Sequence, residues 1–221
     1  MNLRICIVTF LAITCAACVL IPADSPVNNL LLAQQVPNFH LPETLPSPTV
    51  PKMMISTLRV AGMPIILEQT ELKDVKGRLG GTIRRSGDAS TADAWLCYFG
   101  GNANKRWEVW ISSGEIGGLR WIDGFTLQRL AGKATPEKGC RMIPESKGGV
   151  ELPIALRLGQ SEAQVRTILG KPTARYQTTL LYYHEHEESI HNQPYSVLNT
   201  VTIDFREGAV FAIGVFKSSQ T

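Results

Sequence analysis

The chain has 221 residues, of which 44% are hydrophobic and 19% charged, the composition of an ordinary globular protein rather than of a disordered or coiled-coil one. Lysine and arginine number 22 against 19 aspartate and glutamate residues, and this excess of +3 is spread along the chain without a basic stripe. The sequence therefore lacks the clustered basic residues that are typical of a nucleic-acid-binding protein.

Residues 1–23 have the pattern of an export signal. Arg4 supplies a positive start, and residues 5–21 form an apolar run with few interruptions. A leader peptidase would cut before Asp24, whereas the small residues before Cys18 form a lipoprotein-type box that would direct lipid to Cys18. An uncleaved anchor is a third possibility, because the apolar run has about the length of a short membrane-spanning helix. We therefore predict a periplasmic protein or one anchored at the outer membrane.

Residues 24–55 form a predicted tether. Six prolines lie among Ser, Asn, Gln and Thr in this segment, a composition that favours polyproline-like extension over packing. At roughly 3 Å per residue, such a tether holds the folded body several nanometres from a membrane surface.

The folded body contains two cysteines, Cys97 and Cys140, because the other three lie in the leader region. In an oxidising compartment a bridge between them would close a loop of about 43 residues and stabilise the protein by on the order of 4 kcal/mol. The alternative is a pair of separate buried thiols. We predict the disulfide.

The body repeats one pattern. Pro64 opens an apolar run that leads to a helix ending at Gly80, and Pro153, 89 residues later, opens a similar run that leads to a helix ending at Gly170. Regular spacing of this kind indicates that a supersecondary unit was duplicated. In the first copy Thr70 is the predicted helix cap.

The second helix carries the stronger local signals. Ser161 and Gln164 form a capping box, in which each side chain can satisfy a backbone donor at the start of the helix. Val165, Ile168 and Leu169 then give the helix one apolar face. The sequence therefore predicts a short amphipathic helix whose apolar face packs on another element.

Strand-like runs follow each helix, with hairpin turns predicted at Ser113 and Gly114 in the first copy and at Glu207 and Gly208 in the second. The runs are residues 94–99, 107–111 and 119–122 after the first helix, and 179–183, 201–205 and 210–216 after the second. We therefore predict an α+β fold of two tandem repeats, residues 56–132 and 133–221. Each repeat is expected to be a short helix followed by an antiparallel β-meander, with the helices packed on one face of the sheet and the other face open.

The second repeat resembles a known family. Residues 159–172, which contain the capping box and end in Leu-Gly-Lys-Pro, resemble the signature helix of the SmpA/OmlA (BamE-type) outer-membrane lipoproteins, and residues 201–210 resemble the later strands of that family. A tandem copy of such a unit is similar to the β-lactamase inhibitory protein, whose two repeats grip an enzyme. The resemblance implies a scaffold or inhibitor that binds protein, with no cofactor and no reaction of its own.

All four tryptophans lie in the first repeat, and strand alternation places Trp107 on one face and Trp110 on the other. Exposed aromatic residues beside arginine are typical anchors of protein interfaces. We therefore predict that Trp107, Trp110, Arg120 and Trp121 contact another cell-envelope protein. The alternative is that these tryptophans are sheet core.

The strongest enzymatic alternative is a histidine cluster. On an extended strand His184 and His186 point the same way, and with Glu188 or His191 they can form a three-ligand zinc site of a metal-dependent hydrolase. The alternative is a solvated acidic loop between two strands. Because the sequence has no nucleophile elbow, phosphate-binding glycine loop, CxxC pair or dinucleotide fingerprint, we predict a binding protein rather than an enzyme.

Overall fold

The computed structural model describes residues 47–48, 52–87, 92–102, 105–114, 118–130, 134–190 and 193–220. The predicted leader, Cys18 and most of the predicted tether lie outside the described residues. Within the described residues, β-strands dominate, and the two α-helices have eight residues each.

The elements follow one another along the chain with short connections. In chain order they are β1 (Thr57–Val60), β2 (Met63–Ile66), α1 (Leu72–Leu79), β3 (Arg84–Ser86), β4 (Asp93–Gly100), β5 (Trp107–Ser113), β6 (Gly124–Arg129), β7 (Arg141–Met142), β8 (Val150–Glu151), α2 (Glu162–Leu169), β9 (Ala174–Tyr176), β10 (Thr179–Ile190), β11 (Gln193–Arg206) and β12 (Ala209–Gln220). A 3-10 helix, Glu145–Lys147, lies between β7 and β8.

A small sheet is built from strands that are distant in sequence. Strands β1 and β2 form an antiparallel hairpin around Ala61 and Gly62, whose φ angles of 50° and 75° are those of a tight two-residue turn. Strand β8 pairs antiparallel with the other edge of β1, with Val60 opposite Val150. Residues from both halves of the chain therefore share this sheet.

The other nine strands form one large sheet. Eight of them follow the order β3-β4-β5-β6-β12-β11-β10-β9 with every neighbouring pair antiparallel, and β7 pairs in parallel with β4. The two groups of strands meet at β6 and β12, where Phe125 opposes Val215 and Leu127 opposes Ile213. The sheet is therefore continuous through both halves of the chain.

One face of the large sheet carries the main core, which also contains the small sheet and both helices. The helices contribute four buried side chains, Leu72, Val75, Val165 and Leu169. The hydroxyl of Tyr98 donates to the Gly80 carbonyl at 2.8 Å, and the hydroxyl of Tyr182 donates to the Gly170 carbonyl at 3.3 Å. The end of each helix is therefore fastened to a strand of the sheet.

Helix α2 begins where the sequence predicts it. The backbone N–H of Gln164 donates to the Ser161 hydroxyl at 3.4 Å, and the backbone N–H of Ser161 donates to the Gln164 side chain at 2.9 Å, which completes the capping box. The cap predicted for α1 is wrong, because Glu71 is its N-cap residue and the Thr70 hydroxyl instead accepts from the Ile66 N–H.

The predicted fold class is wrong. We expected an α+β protein of two tandem repeats, each a helix followed by a meander packed on a sheet, but the described chain is mostly β and its strands form one small and one large antiparallel sheet. Capping boxes and apolar periodicity indicate where a short helix begins, but they do not measure how much of the remaining chain is strand. Strands β1, β2, β3, β6, β7, β8 and β9 were not predicted at all.

Two local predictions also differ from the structure. The strand expected at residues 119–122 is a turn followed by an isolated bridge at Trp121, and the strand that pairs with β5 is β6, further along the chain. The loop considered for His184 and His186 is also wrong, since both residues lie within β10.

Candidate functional site

The tryptophans predicted as contact residues lie in three different environments. Trp107 is 9% exposed and belongs to the main core, together with Val109. Trp110, on the opposite face of β5, is 3% exposed. Trp121 is 37% exposed. Alternation along β5 thus assigned the two faces correctly, but of these three tryptophans Trp121 is the one that lies at the surface.

Trp121 and Arg120 lie together beside the start of α1. The guanidinium carbon of Arg120 is 4.8 Å from the centroid of the Trp121 ring, within the range of a cation–π contact. The backbone N–H of Leu72 donates to the Arg120 carbonyl at 3.0 Å, and Glu71 forms an isolated antiparallel bridge with Trp121. The backbone that carries the pair is therefore tied to the helix.

The carboxylate of Glu71 orients the arginine. Glu71 is buried, and it accepts a hydrogen bond from Arg120 at 2.5 Å and lies 2.8 Å from the Lys73 ammonium. The hydrogen bond from Arg120 is the largest of the effects that lower the pKa of Glu71 to about 2, and the contact with Lys73 adds to it. The carboxylate is therefore charged at neutral pH and holds the guanidinium in place.

A cavity of about 410 Å³ adjoins this pair. Its lining residues include three cations, Lys73, Arg85 and Arg120, and one carboxylate, Glu71. We call Lys73, Arg85, Arg120 and Trp121 the Arg120–Trp121 surface. The Asp74 carboxylate also acts on the Arg120 guanidinium, so three cations stand against two carboxylates. The surface keeps a net positive charge, which suits an acidic ligand or protein surface.

A second cavity, of about 440 Å³, is also basic. Lys105, Arg106, Arg129 and Arg157 contribute cations to its lining, Trp107 contributes an apolar surface, and no acidic side chain is among the described residues that line it. Arg106 and Arg157 also donate to backbone carbonyls, which limits their freedom to turn toward a ligand.

Cys97 and Cys140 form a disulfide that joins β4 to the segment of residues 134–140, with their Cα atoms 4.5 Å apart. The backbone N–H of Glu137, in the same segment, donates to the carboxyl of Glu108 at 2.5 Å. Both contacts lie on the face of β4 and β5 that is turned away from the main core. The segment therefore covers the part of the sheet that was expected to be open.

Glu108 is a buried acid on β5 that was not among the predicted site residues. It is 2% exposed, and the Gln128 side chain donates to its second carboxyl oxygen at 3.3 Å. Burial raises the pKa of Glu108 above the ordinary glutamate value, and the donors Glu137 and Gln128 oppose this rise. Strand alternation could have located this residue, because Glu108 is two positions from Trp110 and must lie on the same face of β5.

The histidines of β10 lie side by side. The rings of His184 and His186 are stacked with centroids 5.0 Å apart, as expected for residues on one face of a strand. His191 lies outside the described residues. Within the part of the chain that the structure describes, the group of three possible metal-ligating side chains is Cys97, Glu108 and Cys140, in which the two cysteines are bonded to each other. The zinc hydrolase stays a prediction.

Comparison with known protein families, with curated proteins and with solved structures finds no match. The resemblance to SmpA/OmlA lipoproteins therefore stays a prediction. Among the described residues, no helix combines the length and the apolar character needed to cross a membrane.

Proposed function

We propose that this chain is an exported, envelope-tethered protein-binding module of the scaffold or inhibitor type, and that it binds an acidic patch on another envelope protein through the Arg120–Trp121 surface. The observation that carries the proposal is an exposed tryptophan with an arginine stacked on it at 4.8 Å. Trp and Arg are the residues most enriched among those that dominate binding energy in protein interfaces.

Preorganisation supports the same surface. Arg120 is held by Glu71 and stacked on Trp121 before any partner arrives, so less side-chain freedom is lost on binding than for a free arginine. The sheet face first expected to bind is less suitable at β4 and β5, because residues 134–140 cover it and Trp110 is buried there.

A capture experiment with matched variants tests this proposal. The tagged full chain is incubated with envelope extract, and the affinity of each captured protein is then measured for wild type and variants. For the true partner we expect Trp121→Ala to weaken binding by about 30-fold, equivalent to a hot spot of about 2 kcal/mol. Arg120→Lys should also weaken it, because lysine keeps the charge but loses the planar stacking group.

Met142→Ala is the control, since Met142 is 61% exposed and lies outside the Arg120–Trp121 surface. It should leave the affinity unchanged, and the affinity of the wild-type chain should fall with added salt because the contact is electrostatic in part. If every captured protein binds the Trp121→Ala variant as tightly as the wild type, this surface is not the binding site.

A further inference from the structure

A buried carboxyl group touches both sulfurs of the disulfide. The Oε1 atom of Glu108 lies 3.2 Å from the sulfur of Cys140 and 3.8 Å from that of Cys97. Neither sulfur of a disulfide carries a hydrogen, so the cysteines cannot be donors in these contacts. When the bond is reduced, each sulfur leaves as a thiolate that needs a proton, and the Glu108 carboxyl lies within hydrogen-bond range of both sulfurs.

The surroundings of Glu108 favour the protonated acid. The charged groups that act on it are the Glu137 carboxylate, which raises its pKa, and the Arg106 guanidinium, which lowers it, while burial is the largest effect and raises it. Arg84 lies 3.7 Å from the Glu137 carboxylate and offsets part of that negative charge. A proton is therefore held next to the disulfide to a higher pH than on an exposed glutamate.

The two sulfurs differ in access. Cys97 is buried in β4, whereas Cys140 is half-buried at the end of the covering segment. An attacking thiolate can therefore approach Cys140 more readily, and Cys97 becomes the leaving group. Trp95 and Trp110 pack with Cys97 and the half-buried Cys140, so they lie close enough to the sulfurs to report on the bond.

We propose that the bond between Cys97 and Cys140 is a redox-active disulfide that exchanges with a dithiol, and that Glu108 is the proton donor for the leaving sulfur. A thiolate of the dithiol attacks the Cys140 sulfur, and the disulfide bond breaks with its electron pair on the Cys97 sulfur, which takes the proton of the Glu108 carboxyl. The second thiolate of the dithiol then displaces Cys140, which takes a proton from water. The dithiol is oxidised to its own disulfide, the protein is reduced to two thiols, and water returns the proton to Glu108.

The test is the rate at which dithiothreitol reduces the full chain between pH 5 and 8. Loss of the disulfide is followed by thiol trapping and by tryptophan emission, which a nearby disulfide quenches, and each rate is divided by the concentration of dithiothreitol thiolate. For the wild type, this normalised rate should fall as pH rises, because Glu108 loses the proton that it donates. A wild-type rate that is flat across this range would overturn the proposal without any variant.

The second part of the test measures the same normalised reduction rate for the Glu108→Gln variant. Glutamine keeps an oxygen that can accept from the Glu137 N–H but has no acidic proton, so we expect its normalised rate at low pH to be about 100-fold slower and independent of pH, in line with the usual contribution of general acid catalysis. Glu207→Gln is the control, because it removes an exposed carboxyl in the turn between β11 and β12 and should keep the wild-type profile. Equal normalised rates for Glu108→Gln and wild type would show that Glu108 only holds the covering segment in place.

Discussion

At the scale of single residues, three buried carboxyl groups differ in what surrounds them. Glu71 is paired with cations, Glu108 lies against a disulfide, and Asp123 accepts a hydrogen bond from the Gly114 N–H at 2.7 Å with the Asp93 carboxyl close by. Of the three, only Glu71 has oppositely charged side chains in direct contact. The cost of burying charge is therefore offset at Glu71 and remains largely uncompensated at Asp123.

Asp123 predicts a pH dependence of stability. Burial is the main reason that its pKa rises from 3.8 to about 6, so between these values the folded protein holds a proton that the unfolded chain has lost. The free energy of unfolding should therefore fall as pH rises from about 4 to 6 and stay low above that, by up to about 3 kcal/mol from this group.

Urea unfolding of Asp123→Asn at pH 4 and pH 7 measures this effect, because asparagine keeps a hydrogen-bond acceptor for Gly114 but cannot ionise. The variant should gain stability relative to the wild type on going from pH 4 to pH 7. A stability difference that is the same at both pH values would contradict the assignment.

At the scale of elements, two glycines show how the same side-chain change has opposite effects in a helix and in a turn. Gly77 lies inside α1, whereas Gly208 has a φ of 76° in the turn that joins β11 to β12. A Cβ at either position meets no atom within 4 Å, so steric contact with neighbours does not distinguish them. Backbone conformation alone separates the two.

Gly77→Ala should therefore stabilise the protein by up to about 1 kcal/mol, because alanine is the better helix former. Gly208→Ala should destabilise it by about 1 kcal/mol or more, because an L-residue is strained at this positive φ. The urea midpoints of the two variants should move in opposite directions from the wild-type midpoint. A shift in the same direction for both would mean that something other than local backbone preference controls these positions.

At the scale of the whole molecule, three long-range contacts connect distant segments of the chain. Strand β8 pairs with β1, strand β12 pairs with β6, and the disulfide fastens residues 134–140 to β4. Each of these contacts joins residues that are far apart in sequence. The stability of the two sheets is therefore shared between the two halves of the chain.

The double variant Cys97→Ala with Cys140→Ala tests how much the covalent link contributes. Removing a bridge that spans 43 residues should lower the free energy of unfolding by on the order of 4 kcal/mol, since the unfolded chain regains the freedom of that loop. The wild type measured in reductant is the control and should approach the variant. An unchanged urea midpoint would mean that the link contributes little to stability.

The sequence by itself determined the features that depend on a few neighbouring residues. The capping box at Ser161, the turn at Glu207 and Gly208, and the opposite faces of Trp107 and Trp110 all follow from short-range hydrogen bonding and from the alternation of a strand. Such signals act over a few positions and can be recognised without knowing the rest of the fold.

The tertiary structure alone decided which strands pair across the chain and which acids become buried. The β6–β12 and β8–β1 pairings depend on apolar burial summed over whole sheets, which has no signature within a short window of sequence, and the expected α+β repeats were wrong for that reason. The environment of Glu108 has the same origin, because the segment that covers it comes from about 30 residues further along the chain.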